Sequence, residues 1–224
     1  MKLQAILWDF GGVFTSSPFE NFNRLEETCG APKDFIRKVN STNPDDNAWA
    51  QFESNTVSLD KFDELFAAES AALGFKIQGK DVISVLSGDL RPRMVRVLET
   101  CKNHFKVGCI TNNVKAGKGP SMTQSEEKAT QIGSVMNLFD VIIESSVVGV
   151  RKPNPAIYEM ACEALGVSPA EAAFLDDLGI NLKPAKLMGM QTIKVIDEAQ
   201  AISDLSTITA VSYTHLTLPT KRIV

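Results

Sequence analysis

The sequence has no C-x-x-C pair, only two histidines, no excess of positive charge, and no apolar run near the roughly 20 residues that span a bilayer. Each absence removes a class of function. With 23 Lys and Arg against 27 Asp and Glu in 224 residues the net charge is −4, so no global positive field exists to hold nucleic acid or an anionic membrane. Any phosphate partner must be gripped locally. The apolar N-terminal stretch is cut at Asp9 before it could act as a signal peptide, and the chain reads as cytoplasmic. Cys29, Cys101, Cys109 and Cys162 sit in apolar helical or strand-like patterns and read as buried free thiols. His104 and His215 have no spaced partner, which leaves them surface or packing roles. Nothing sets an oligomeric state.

What is present is an alternation. Short Ile- and Val-rich runs at 5–8, 107–110, 141–143, 173–175 and 192–195 read as strands, with helical patterns at about 92–103, 122–137, 155–165 and 182–188. That is the signature of a doubly wound parallel α/β sheet, a Rossmann-like core. In the 155–165 helix Ile157, Ala161 and Leu165 share a face and Gly166 is placed to end it, while Ser168, Pro169 and Glu171 predict a capped helical turn before the fourth strand. Residues 16–87 break the alternation with helical stretches at 19–29, 32–39, 48–53 and 59–73, so they read as an inserted helical cap on a core of 1–15 and 88–210. The Thr-rich stretch 211–224 resembles translated cloning or adapter sequence, with a native edge strand as the alternative.

In open α/β sheets ligands sit beyond the carboxyl ends of the strands. Reading the residues there gives Asp9-Phe10-Gly11-Gly12, then Thr111-Asn112-Asn113, then Arg151-Lys152-Pro153, then Asp176-Asp177 with Asn181. Singly, each has a plain explanation as a cap, a turn or a solvated charge. Together they place three carboxylates, a hydroxyl, an amide and a lysine at one sheet edge. Neighbouring carboxylates raise one another's pKa unless a cation sits among them, and hard oxygen donors select Mg²⁺. An anionic substrate then supplies the charge that Lys152 and the Thr111 hydroxyl are placed to meet.

This arrangement resembles the haloacid dehalogenase superfamily of aspartate-nucleophile phosphatases, in the branch that holds the phosphatase domain of soluble epoxide hydrolase. The resemblance covers residues 1 to about 210, with four motifs in the family's order, and is carried most by 143–153 and 174–185. It implies that Asp9 is the nucleophile forming an aspartyl-phosphate and also a ligand of Mg²⁺. Thr111 and the Asn112 N–H would hold phosphoryl oxygens and Lys152 would neutralise charge. Asp177 would ligate the metal directly, with Asp176 its partner through water, Gly11 lending a backbone carbonyl, and Asn181 orienting from behind. The substrate is then a small phosphorylated metabolite.

Position 11 departs from the pattern, because the common form is Asp-x-Asp and its second acid protonates the leaving group. General acid–base help is typically worth about 10²- to 10⁴-fold. Three readings follow: substrates with good leaving groups, replacement of the acid by a cap group such as Glu53, or lost catalysis. The alternatives to a phosphatase are a phosphate-binding or regulatory module and a metal-independent 2-haloacid dehalogenase. Among lesser candidates, Arg91, Arg93 and Arg96 read as a solvated helix start. Residues 117–120 read as a loop without phosphate-loop spacing, and Trp49 and Phe52 as packing of the helical insertion.

Overall fold

The computed structural model describes residues 2–113, 126–211 and 213. Its five strands are β1 (Ala5–Trp8), β2 (Lys106–Thr111), β3 (Val141–Glu144), β4 (Ala172–Asp176) and β5 (Gln191–Lys194). They form one parallel sheet in the order β3-β2-β1-β4-β5. The fold is the expected α/β Rossmann-like one.

Strand β1 is buried along its whole length, as a central parallel strand covered on both faces must be. Its pleat sends Ile6 and Trp8 to one face and Ala5 and Leu7 to the other. The first pair packs with Met94, Val97 and Leu98 of α6 (Pro92–Lys102), Ile132 and Val135 of α7 (Glu126–Met136) and Leu205 of α11 (Glu198–Thr209). The second pair meets Ile157, Ala161 and Leu165 of α9 (Pro155–Leu165) and Leu182 and Ala185 of α10 (Gly179–Leu187). Helix α9 is bounded as its sequence predicts: the Asn154 side chain caps Ala156 N–H at 3.0 Å, and Gly166 takes the left-handed conformation that ends it. Pro169–Glu171 form a 3₁₀ turn closed by a Ser168–Glu171 capping box.

A second apolar cluster is separate from the sheet. Helices α1 (Pro18–Cys29), α2 (Phe35–Ser41), α3 (Ala48–Glu53), α4 (Leu59–Ala72) and α5 (Gly79–Ser84) enclose Phe22, Ile36, Val39, Phe52, Phe62 and Phe66. Phe52 stacks on Phe62 at 4.5 Å and Trp49 meets the Phe22 and Phe62 rings. The two connections to the sheet run side by side, with Thr15 bridging Leu90 in antiparallel register.

Several boundaries differ from the sequence reading. The ladder carries β2 to Thr111 and β4 to Asp176, each one residue further, so both site residues are held by strand pairing. Helix α10 starts at Gly179, three residues early, because the poor helix formers Gly179 and Asn181 hide its first turn from an apolar pattern. Helix α5 and a one-turn helix α8 (Ser145–Val148) are too short to show a period. Residues 122–125, the loop 117–120 and His215 lie outside the described residues. From the stretch after 210, Val211 and Tyr213 pack on the first cluster, and the Tyr213 hydroxyl lies 3.3 Å from Cys101 Sγ. Cys101, Cys109 and Cys162 are buried free thiols as expected, whereas Cys29, the last residue of α1, is exposed. Among the described residues no helix is long and apolar enough to cross a membrane.

Candidate active site

Because β1, β2 and β4 are neighbours and parallel, their carboxyl ends bring Asp9, Thr111 and Asp176 to one edge. One carboxylate oxygen from each of Asp9, Asp176 and Asp177 falls within 4.8 Å of the others. Lys152, which is 1% exposed, reaches in from the loop after α8, its Nζ 2.8 Å from Asp9 Oδ1 and 2.8 Å from Asp176 Oδ2. Asp9 Oδ1 also accepts from the Phe10 N–H at 2.7 Å.

The two adjacent acids differ in how their oxygens are spent. Asp176 accepts from Lys152, from the Leu178 N–H at 2.7 Å and from Asn181 Nδ2, which sits 3.1 and 3.0 Å from its two oxygens. Asn181 is itself held from below, its carbonyl accepting from the buried Tyr158 hydroxyl at 2.7 Å. Asp177 is only half-buried and abuts Gly12, where a Cβ would come within 2.2 Å of Asp177 Oδ2. Gly12 has φ +73°, so both its backbone and its neighbour demand glycine. Gly11 faces open space, with nothing within 4 Å of where a Cβ would be.

Electrostatics follow from burial. Desolvation pushes Asp9 up to about 8; Asp176 and Asp177 add to the rise and Lys152 opposes it. Burial, then Asp176, raises Asp177 to about 6, with Lys152 and Arg91 pulling it back. Burial acts against the charge on Lys152, but its two carboxylate partners more than offset this and hold its pKa above the ordinary value. One lysine faces three carboxylates, so full ionisation leaves a buried excess of negative charge. A divalent cation taken by hard oxygens removes that excess, and the donor set therefore fits Mg²⁺.

Of the sequence candidates, Asp9, Lys152, Thr111, Asp176, Asp177 and Asn181 converge, and Gly11 lies beside them in the Asp9 loop. Asn112 joins them with a task the sequence did not suggest: its side chain accepts from the Lys152 N–H at 2.8 Å and donates to the Lys152 carbonyl at 3.0 Å, fixing the lysine's backbone. Its neighbour Asn113 is locked to the start of α8, with the Ser145 hydroxyl donating to its carbonyl at 3.1 Å and the Ser146 hydroxyl to its Oδ1 at 2.9 Å. Glu53, at the end of α3, is buried and ion-paired at 2.7 Å with Arg151, the residue before Lys152. Arg151 also donates to the Pro44 carbonyl at 2.9 Å. Burial raises the Glu53 pKa while Arg151 opposes. His104 lies before β2, at the opposite end of the sheet. Arg91 does not behave as a solvated helix start, because its Nη1 donates to the Gly12 carbonyl at 2.7 Å. Its signal was invisible in the sequence, since the partner is a main-chain atom 79 residues earlier.

The chain resembles several known proteins. Bifunctional epoxide hydrolase 2 of Mus musculus is 30% identical over 98% of this chain, which spans 41% of that protein's length. A phosphatase of Mycobacterium tuberculosis is 29% identical over 94% of this chain and 97% of its own. Among solved structures, a Bacteroides thetaiotaomicron enzyme in complex with magnesium and inorganic phosphate matches with a TM-score of 0.58 at 18% identity, covering 88% of this chain and 96% of that one. The L-2-haloacid dehalogenase of Xanthobacter autotrophicus matches at 0.60 and 18%, covering 96% and 86%. The family model for haloacid dehalogenase-like hydrolases matches residues 3–189, and the chain belongs to that family.

Proposed function

We propose that the chain is a Mg²⁺-dependent phosphatase that hydrolyses a small phosphorylated metabolite through an aspartyl-phosphate on Asp9. The observation that carries this reading is the gathering of Asp9, Asp176 and Asp177 within 4.8 Å around a buried lysine. The magnesium and phosphate of the Bacteroides structure and the phosphatase name of the Mycobacterium relative support it.

Asp9 attacks phosphorus, the ester P–O bond breaks, and water then hydrolyses the acyl phosphate, so that one hard displacement becomes two easier ones. The Thr111 hydroxyl, the Asn112 N–H and Lys152 meet the phosphoryl oxygens, which is most of the catalytic demand in phosphoryl transfer. Asp9, Asp177 and the Gly11 carbonyl would hold Mg²⁺, with Asp176 behind them through water. Bound there, the cation supplies charge neutralisation at the phosphoryl group. Residues 16–87 act as a cap over this edge, and closure would exclude bulk water during phosphoryl transfer to Asp9.

Gly11 gives no proton to the departing oxygen. The enzyme therefore suits substrates whose leaving group needs little protonation, and Glu53, held against Arg151 beside Lys152, is the cap carboxyl that would help with the rest. Halide displacement by Asp9 needs no cation and would leave Asp176 and Asp177 repelling it, so the cluster favours phosphoryl transfer over dehalogenation.

The test is phosphate release from p-nitrophenyl phosphate and a panel of phosphorylated metabolites, with and without Mg²⁺. Mg²⁺-dependent release is expected. No release from any compound supports a binding module instead, and metal-free halide release from 2-chloropropionate supports a dehalogenase.

A further inference from the structure

Arg91 stands where the inserted helices return to the sheet, and both its main chain and its side chain are bonded to the nucleophile loop. Its N–H donates to the Phe14 carbonyl at 2.7 Å, and its Nη1 donates to the Gly12 carbonyl at 2.7 Å. The strap that carries it is tight. Ser16 N–H donates to the Asp89 carbonyl at 2.8 Å, Asp89 N–H donates back to the Ser16 hydroxyl at 3.0 Å, and a Cβ at Gly88 would lie 2.3 Å from the Ser16 carbonyl oxygen.

The atom Arg91 grips belongs to the residue that touches Asp177. Gly12 sits against that carboxylate in a left-handed conformation, and glycine has little intrinsic preference to keep it there. An external donor on the Gly12 carbonyl removes that freedom. The guanidinium is also near enough for its charge to act on Asp177.

We propose that Arg91 is a positioning residue: by holding the Gly12 carbonyl it seats the loop after Asp9 against Asp177, and it ties that loop to the strap from which the inserted helices hang. This rests on the reading of Asp9 and Asp177 as the hydrolytic site and adds to it a link between cap and metal carboxylate. Outer partners of metal-site residues typically contribute about 10- to 100-fold in affinity or activity.

The test compares wild type, Arg91→Ala, Arg91→Gln and Arg91→Lys on three readouts. These are the Mg²⁺ concentration at the midpoint of its effect on Tm, kcat and KM for p-nitrophenyl phosphate, and amide exchange of residues 9–15. Arg91→Ala should raise the Mg²⁺ midpoint and lower kcat by about 10- to 100-fold, move KM by less than about threefold, and speed exchange of the loop. Arg91→Lys, which keeps a charged donor, should recover part of each loss. An Arg91→Ala protein with a lower Tm but unchanged midpoint, kcat and loop exchange would make Arg91 a helix-start residue only and overturn the proposal. Should that variant not fold, Arg91→Gln carries the same comparison, with equality to wild type on all three readouts as the contrary result. A wild type that releases no phosphate sinks the phosphatase reading instead, and leaves loop exchange to decide the role of Arg91.

Discussion

At the scale of single residues, positions 11 and 12 make opposite demands. Gly11 opens onto free space and its φ is not left-handed, so an aspartate fits there without displacing anything. Gly11→Asp should raise turnover on alkyl phosphates, whose leaving groups need a proton, by up to about 10²-fold, with little change on p-nitrophenyl phosphate. Equal effects on both substrates would show that the missing acid does not limit the rate. Gly12→Ala adds a methyl where Asp177 Oδ2 already stands, in a conformation L residues avoid. It should lower Tm and weaken the stabilisation by Mg²⁺, which a metal titration followed by thermal unfolding will read. The site's charged members were legible because the first polar residue after a buried parallel strand lies at its carboxyl edge, as Asp9 does after β1. The side-chain task of Asn112 and the role of Arg91 were not, because each acts on main-chain atoms, and no side-chain pattern records a main-chain partner.

Among the elements, α3 meets the loop before Lys152 through the Glu53–Arg151 pair. Glu53 and Arg151 lie within ion-pair distance, although neither paired atom makes an aligned hydrogen bond. Removing one partner of a buried pair leaves the other charge uncompensated, whereas removing both is far less costly. Glu53→Gln and Arg151→Met should each destabilise the protein, and the double variant should be more stable than their sum by about 0.5–3 kcal/mol, measured by urea unfolding. Additive effects would mean the pair does not couple insertion to core. Helices α1, α4 and α9 are long enough to declare themselves through apolar spacing and their ends. The single turn of α8, which locks Asn113, has too few residues for a period and is fixed by the Ser145 and Ser146 hydroxyls.

For the whole molecule, the acidic site sets how stability changes with pH. Folded Asp9 titrates near 8 and Asp177 near 6, against about 3.9 for an unfolded aspartate. Between those values the folded state binds protons that the unfolded chain has released, so stability is full at the acid end and falls as pH rises. Metal-free wild type should therefore lose Tm from pH 6 to pH 8. Asp9→Asn should lose less, and Mg²⁺ should flatten the slope. A wild-type slope equal to that of Asp9→Asn would contradict a carboxyl at position 9 whose burial outweighs the pull of Lys152. The central claim is that this carboxylate is the nucleophile, and rapid acid quenching of the enzyme turning over p-nitrophenyl phosphate with Mg²⁺ tests it directly. Mass mapping should find one phosphoryl group on the peptide containing Asp9 and none in Asp9→Asn. Undiminished phosphate release by Asp9→Asn, or a phosphoryl group on any other peptide, would contradict the account.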